Sequence, residues 1–180
     1  IKIDENGNFL WKKEFHESGH NLGNSIIEID DGYLLCGEIN QNSSIIKLKK
    51  TDGSVLFNSV IDNGGTDAFE HVARTNNGFL AVGYNQANDV SNTFYTEGNG
   101  CATFLDSNGQ KITLFNLNNY ISHAYRIYPH YNKYFISGLS SDAQNYVLIK
   151  IDSAGSIDWK KEYGGTNADH CFGMDFSDDG

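Results

Sequence analysis

The sequence predicts an all-β protein, and three observations indicate this fold class. Glycine is frequent with 19 residues, proline occurs once, and 23 residues are aromatic, a composition typical of short strands joined by glycine turns. A motif recurs about every 46 residues, which is the mark of a repeat architecture. No stretch combines helical periodicity with capping residues, so the repeat is expected to consist of strands alone.

The repeat becomes visible when the two ends of the chain are compared. Residues 149–180 align with residues 1–32 without a gap, at an offset of 148 residues. The segment Ile1-Lys2-Ile3-Asp4 recurs at 149–152, and Trp11-Lys12-Lys13-Glu14 recurs at 159–162. Two series of glycines follow nearly the same spacing: Gly7, Gly53, Gly109 and Gly155, and then Gly37, Gly83 and Gly138. Two independent landmarks therefore divide the chain into similar units.

Each unit is interpreted as four strands. In the first complete unit, Ser25–Asp30 is followed by the hairpin turn Asp31-Gly32. The next strand, Tyr33–Cys36, is apolar on both faces, as expected for a strand buried between stacked sheets. Ser44–Lys49 then alternates apolar and charged residues, and Val55–Val60 is the outermost and most polar strand.

A unit of about 46 residues with four antiparallel strands is typical of one blade of a β-propeller. A β-sandwich is the alternative, but sandwiches seldom repeat themselves at a fixed period. The predicted boundaries are a half-blade at 1–15, blades at 24–61, 68–117 and 122–163, and a partial blade at 170–180. Residues 170–176 are expected to form the inner strand of that partial blade.

The last strand of each unit carries a recurrent bulky position. Trp11, Phe57, Thr113 and Trp159 each stand four residues after a turn glycine. Because alternate residues of a strand share a face, we expect the three aromatic rings to cover the gap to the neighbouring blade.

Two of these segments resemble a known type of propeller repeat. Asp4-Glu5-Asn6-Gly7-Asn8-Phe9-Leu10-Trp11 and its counterpart at 152–159 are similar to the Asp…Gly…Trp signature of PQQ-like propeller repeats. The Gly-Gly-Thr segments at 64–66 and 164–166 are similar to those of secreted bacterial propellers. The spacing from Asp to Gly is one residue shorter than in the PQQ-like pattern, except around Lys49–Gly53. The resemblance thus implies a propeller and implies nothing about a quinone, and we expect no cofactor.

Candidate ligand-binding residues follow from the register of the repeat. Asn21, Asp67, Ser122 and Asp169 precede the hairpin turns by the same interval, at the predicted start of each inner strand. A ring of such small polar residues could hold a cation or a polar ligand. In the alternative interpretation, which we favour, each side chain hydrogen-bonds the local backbone where a loop becomes a strand.

The sequence contains no recognisable catalytic constellation or metal site. His16-Glu17-Ser18-Gly19-His20 matches the His-Glu-x-x-His pattern of zinc proteases, but that motif needs a helix to bring both imidazoles to one metal. Here it follows a strand, contains a glycine and is expected to be a loop. Asp67 and Asp169 are the acidic residues available to a polysaccharide-cleaving alternative.

Two further features are candidates for contacts or modification. A segment of about ten additional residues interrupts the repeat between Tyr84 and Cys101, and its Asp89, Tyr95 and Glu97 are candidates for contacting a protein or a glycan. Asn42 opens an Asn-Ser-Ser sequon in a predicted short loop and is the candidate glycosylation site.

Composition limits the class of partner. The formal net charge is −10, and an acidic surface disfavours nucleic acid. No run approaches the 18 to 20 apolar residues of a membrane span. The sequence therefore favours a non-catalytic extracellular or cell-surface scaffold, adhesion or structural module that binds protein or glycan. A polysaccharide-active enzyme and a glycan-binding lectin are the alternatives. Because blade edges are left open, we also expect a fragment of a longer propeller or self-assembly into a fibre. A compact four-bladed ring, in which residues 1–15 complete the last blade, is the alternative.

Overall fold

The structure is a computed structural model that describes residues 1–87, 98–142, 145–167, 169 and 171–177. Every regular element in these ranges is a β-strand, and no helix that could cross a membrane occurs among them. The strands are β1 (Lys2–Ile3), β2 (Phe9–Trp11), β3 (Asn21–Ile29), β4 (Gly32–Ile39), β5 (Asn42–Leu48), β6 (Val55–Ile61), β7 (Thr66–Thr75), β8 (Gly78–Ala87), β9 (Asn99–Asp106), β10 (Lys111–Asn116), β11 (Ile121–His130), β12 (Lys133–Ser140), β13 (Tyr146–Asp152) and β14 (Ile157–Tyr163).

The strands form three four-stranded sheets and one two-stranded sheet. The first sheet contains β3–β6, the second β7–β10 and the third β11–β14, each as an antiparallel meander, and β1 pairs with β2. The predicted all-β class, with repeated four-stranded antiparallel sheets, is confirmed for the described residues. The sheets do not close into a ring within these ranges.

Asx turns join the last two strands of most units. In three turns an aspartate carboxylate accepts hydrogen bonds of 2.7–2.9 Å from the backbone N–H groups two and four residues later, a contact that fixes a tight turn. These aspartates are Asp4, Asp106 and Asp152. The glycine that follows each of them has a positive φ of 76–83°, which other residues adopt only with strain. The turn at Gly53 is one residue longer, and there the glycine N–H donates to the Lys49 carbonyl at 3.0 Å.

The sheets stack face to face in chain order, with an apolar layer between each pair. Trp11 and Phe15 pack against Ile46 and Leu48 of the first sheet. A second layer joins the first and second sheets, including Leu34, Ile45, Phe69 and Val72. A third joins the second and third sheets, including Leu80, Ala102, Ala124 and Ile127. Most contacts between sheets involve one of the first strands, β3, β7 or β11. The sheets are therefore stacked with their first strands next to one another.

The predicted packing role of Trp11 and Phe57 is confirmed. Each ring lies on the turn glycine of the following unit, and we call this contact a latch. An ideal Cβ added to Gly53 would lie 2.6 Å from the Trp11 ring, and one added to Gly109 would lie 2.5 Å from the Phe57 ring. The indole N–H of Trp11 also donates to the Lys50 carbonyl at 3.2 Å. The latch therefore requires glycine both for its backbone angle and for its missing side chain.

The third latch is displaced by two residues from its predicted position. Thr113 occupies the expected position, but the ring that covers Gly155 belongs to Phe115, which would lie 2.4 Å from an added Cβ. Residues two apart in a strand share a face, so Phe115 substitutes for the missing aromatic at position 113.

The end of the chain differs from the predicted partial blade. Residues 171–177 form no strand, whereas residues 170 and 178–180 lie outside the described residues. This segment nevertheless lies along β11: Arg126 Nε donates to the Phe172 carbonyl at 3.0 Å, and the Phe176 ring stacks on Tyr128 at 4.5 Å. In the other units the equivalent strand is stabilised by pairing with the next strand, and residues 171–177 have no such partner strand in the part of the chain that the structure describes.

Candidate functional site

The four predicted ligand-binding residues lie at the same end of their units and bond the local backbone. Asn21 Nδ2 donates to the carbonyls of Glu17 and Gly19, both at 3.0 Å. Ser122 Oγ donates to the Ser140 carbonyl at 2.9 Å. These side chains fasten the loop, or the second strand of the hairpin, to the start of the first strand.

The two acidic members are engaged in the same way. Asp67 is fully buried, and its two carboxylate oxygens accept from the backbone N–H groups of Gln86 at 2.9 Å and Asn63 at 2.5 Å. Burial raises the pKa of Asp67, although both hydrogen bonds oppose that rise. Asp169 Oδ2 accepts from the Gly165 N–H at 2.6 Å. No group of three or more metal-ligating side chains occurs in the described ranges.

Each first strand carries a β-bulge three residues after its predicted ligand-binding residue. The bulged residues are Asn24, Glu70 and Tyr125, which occupy equivalent positions of the repeat. A bulge bends its strand and redirects one side chain out of the regular alternation. The glycine series at 37, 83 and 138 makes room for it, because an added Cβ would lie 2.0–2.1 Å from a carbonyl oxygen of the first strand.

The bulged side chains reach forward to the next unit. Asn24 Nδ2 donates to the Phe69 carbonyl at 3.1 Å. Glu70 Oε1 lies 3.5 Å from His123 Nε2, and the Tyr125 ring packs on Phe172 with centroids 4.9 Å apart. A polar and aromatic seam thus runs along the first strands from one unit to the next.

The seam contains a group of neighbouring titratable side chains, which we call the inner cluster: His20, Glu38, Glu70, Tyr84 and His123. Glu38, Tyr84 and His123 are buried, Glu70 is half-buried and His20 is exposed. Glu38 is only 2% exposed, and its Oε1 lies 3.1 Å from His20 Nδ1. Burial raises the pKa of Glu38, and the negative charge of Glu70 adds to the rise, whereas the hydrogen bond with His20 opposes it. The cluster therefore contains a carboxyl group that takes up a proton more readily than an exposed glutamate.

His123 lies at the centre of the inner cluster. It is 2% exposed, and its ring centroid lies 4.0 Å from that of Tyr84 and 5.1 Å from that of Tyr125. Its Nδ1 has no hydrogen-bond partner in the described structure. Burial, together with the charges of Glu38 and Glu70, also raises the pKa of Tyr84, so its hydroxyl stays protonated.

The sequence pattern did not reveal the inner cluster, although a signal for it existed. Glu38 and Tyr84 each follow a glycine of the second series, and Glu70 stands three residues after Asp67. Aligning the units column by column places Glu38 and Tyr84 at one repeat position and Glu70 at the position of the bulged residues Asn24 and Tyr125. The residue types differ between units, so no fixed motif drew attention to them. His20, which belongs to the His-Glu-x-x-His match, lies in a loop as predicted.

The remaining candidates are separate from this cluster. Asp89, Tyr95 and Glu97 lie outside the described residues. Asn42 is not in a loop: it is the first residue of β5, and its Nδ2 donates to the Asn40 carbonyl at 3.1 Å. Ser43 and Ser44 of the same sequon are buried because they pair with Glu38 and Gly37 of β4.

Comparison with known proteins identifies no family for the chain. No protein-family model matches it, and no curated protein sequence matches it either.

Proposed function

We propose that the chain is a non-catalytic scaffold or adhesion module built from propeller-type blades and exposed on the outside of the cell. The observation that carries this proposal is the use of equivalent repeat positions to join one sheet to the next. The small polar residues hydrogen-bond the local backbone, and the side chains of the bulged residues contact the next unit. The outer aromatic rings form the latches. An enzyme would use some of these equivalent repeat positions for the side chains of a reaction centre. In this chain the side chains at these positions join the sheets into a rigid scaffold.

The propeller resemblance and the cellular location belong to the same proposal. Stacked four-stranded antiparallel sheets with their first strands adjacent support a propeller-type arrangement. The net charge of −10 supports a protein or glycan partner in preference to a nucleic acid. A surface module of this kind binds through loops that a rigid scaffold presents.

A binding screen tests this function. We expect the purified chain to bind saturably to a protein or glycan on arrays of extracellular proteins and glycans, and to release no reducing ends from polysaccharides. Release that is lost in the folded double variant Asp67→Asn/Asp169→Asn would contradict the non-catalytic proposal. Absence of binding on both arrays would contradict the adhesion proposal.

One observation favours a polysaccharide-active enzyme as a second candidate. Glycosidases use two carboxyl groups, one of which has a raised pKa and acts as the general acid. Glu38 and Glu70 interact electrostatically, and the pKa of Glu38 is raised. If this candidate is right, Glu38→Gln abolishes reducing-end release. Glu28→Gln, at an exposed carboxylate of β3 paired with Lys50, serves as the matched control and keeps that activity.

A further inference from the structure

The outer face of β3 exposes an apolar side chain at a position that is buried in the other two sheets. Ile26, which is opposite Leu35 of β4, is 60% exposed. Its repeat equivalents, Val72 in the second sheet and Ile127 in the third, are 0% and 2% exposed. The repeat therefore places a buried side chain at this position, and the first sheet alone leaves it uncovered.

The neighbour on this side is half of a sheet. β1 pairs with β2 in the register of β13 with β14: Lys2 is opposite Trp11 as Lys150 is opposite Trp159, and Ile3 is opposite Phe9 as Ile151 is opposite Ile157. The other edge of β13 pairs with β12. The corresponding edge of β1 has no partner strand among the described residues.

The complete interfaces show which strands normally cover this face. β7 contacts β3, β4 and β5, and β11 contacts β7, β8 and β9. In each case the first three strands of the preceding sheet lie over the first strand of the next. β1 is equivalent to the third strand of a complete sheet. The first and second strands of such a sheet, which would also lie over β3, have no counterpart among the described residues.

A cavity marks the place of these two strands. It has a volume of about 170 Å³ and lies beneath Phe15, with Leu22, Leu35 and Ile46 among its lining residues. The Phe15 side chain that borders the cavity belongs, with Trp11, to the apolar layer between the half-sheet and the first sheet. The exposed face is thus continuous with an interface that is already formed.

We infer that the face formed by Ile26, Leu35 and Phe15, together with the free edge of β1, is a docking surface for a β-hairpin of the chain's own repeat type. The hairpin has the character of β11–β12: a bulged first strand and a second strand that is apolar on both faces. Its second strand pairs with β1, and its first strand covers Ile26. This inference rests on the proposed propeller-type scaffold and names the partner of its open end.

A fusion protein tests the docking surface. A second copy of residues 121–148 is placed directly before Ile1, because residue 148 precedes Ile149 in the intact unit as it would precede Ile1 in the fusion. We expect the melting temperature to rise and hydrogen exchange at the amides of Lys2 and Ile3 to slow at least tenfold. The matched control carries Ile136→Asp in the added copy alone, where a charge replaces a fully buried side chain.

Three outcomes overturn the inference. The fusion and its Ile136→Asp control have the same melting temperature and exchange rates, or the fusion leaves the exchange of β1 unchanged. In the third outcome the original chain dimerises in sedimentation measurements and Ile26→Asp abolishes the dimer, whereas Ile112→Asp at another exposed isoleucine does not. A second copy would then be the occupant. These readouts are stability, exchange and mass, so they are independent of the ligand and activity screens above.

Discussion

His71 shows how burial in the seam determines the protonation of a single side chain. Its Nδ1 accepts a hydrogen bond from the Ile127 N–H at 3.5 Å, across the junction of the second and third sheets. Burial, with a further contribution from the positive charge of Arg126, lowers the pKa of His71 from 6.5 to about 4. The folded protein therefore keeps this imidazole neutral at pH values where the unfolded chain protonates it.

This pKa predicts a loss of stability in mild acid. Between pH 6.5 and about 4 the unfolded state binds a proton at His71 that the folded state does not. The free energy of unfolding consequently falls as the pH is lowered, by up to about 1.4 kcal/mol per pH unit for this group. His71→Asn keeps an acceptor near the Nδ1 position and should reduce that slope. Urea unfolding at pH 7 and pH 5 measures it, and His16→Asn on the surface is the control. An unchanged slope in His71→Asn would contradict the prediction.

The latch is a contact between one strand and the turn of the next unit, and the chain offers a matched pair of glycines for measuring it. Gly109 has a φ of 76° and lies under the Phe57 ring, whereas Gly7 has a φ of 83° and has no atom within 4 Å of an added Cβ. An alanine at either position has the same backbone strain. Only the alanine at position 109 also collides with a ring.

We therefore predict that Gly109→Ala lowers the free energy of unfolding by about 1–3 kcal/mol more than Gly7→Ala does, because overpacking adds to the backbone strain. Urea titrations of the two variants measure the difference. Adding Phe57→Leu to Gly109→Ala should recover part of the loss, because the smaller side chain leaves space for the new Cβ. Equal losses in the two single variants would show that the ring contact contributes nothing.

Strands and turns were predictable because their causes are local. The alternation in Ser44–Lys49 and the glycine at position 53 lie within a few residues of the structure they determine. The hydrogen bonds of Asn21 and Asp67 to nearby backbone were likewise foreseen as one of two interpretations. The inner cluster was not, because a bulge at Glu70 changes which face a side chain takes, and a one-residue shift reverses a pattern of period two. The same local reasoning placed Asn42 in a loop, although β5 begins there.

Within the described ranges each sheet makes its extensive contacts with its neighbours in the stack, and this arrangement sets how stability is distributed over the protein. In such quasi-one-dimensional arrays each unit gains stability from the interfaces on its two sides. The second sheet has a complete sheet on both sides, whereas β1–β2 lies at one end with a free edge. Local opening should therefore be easiest at the β1–β2 end.

Native-state hydrogen exchange tests this distribution. We expect the amides of β8, which lies in the middle of the second sheet, to exchange most slowly, and those of β1 and β2 to exchange fastest. The order should persist at low urea concentrations. Equal protection of β8 and β2 would indicate a single cooperative unit and would contradict a stack stabilised by neighbour contacts.

The latches also have a direction, because each ring precedes the glycine that it covers. Trp11, Phe57 and Phe115 are synthesised 42, 52 and 40 residues before Gly53, Gly109 and Gly155. At typical elongation rates of about 5–20 residues per second, roughly 2 to 10 s pass between the synthesis of each ring and the synthesis of the glycine that it covers. During translation the growing chain thus always presents one uncovered aromatic strand at its newest edge. Chaperones that bind nascent chains would therefore be offered an exposed aromatic strand once per unit. A pause in translation after residue 57 or 115 would prolong the exposure of that strand.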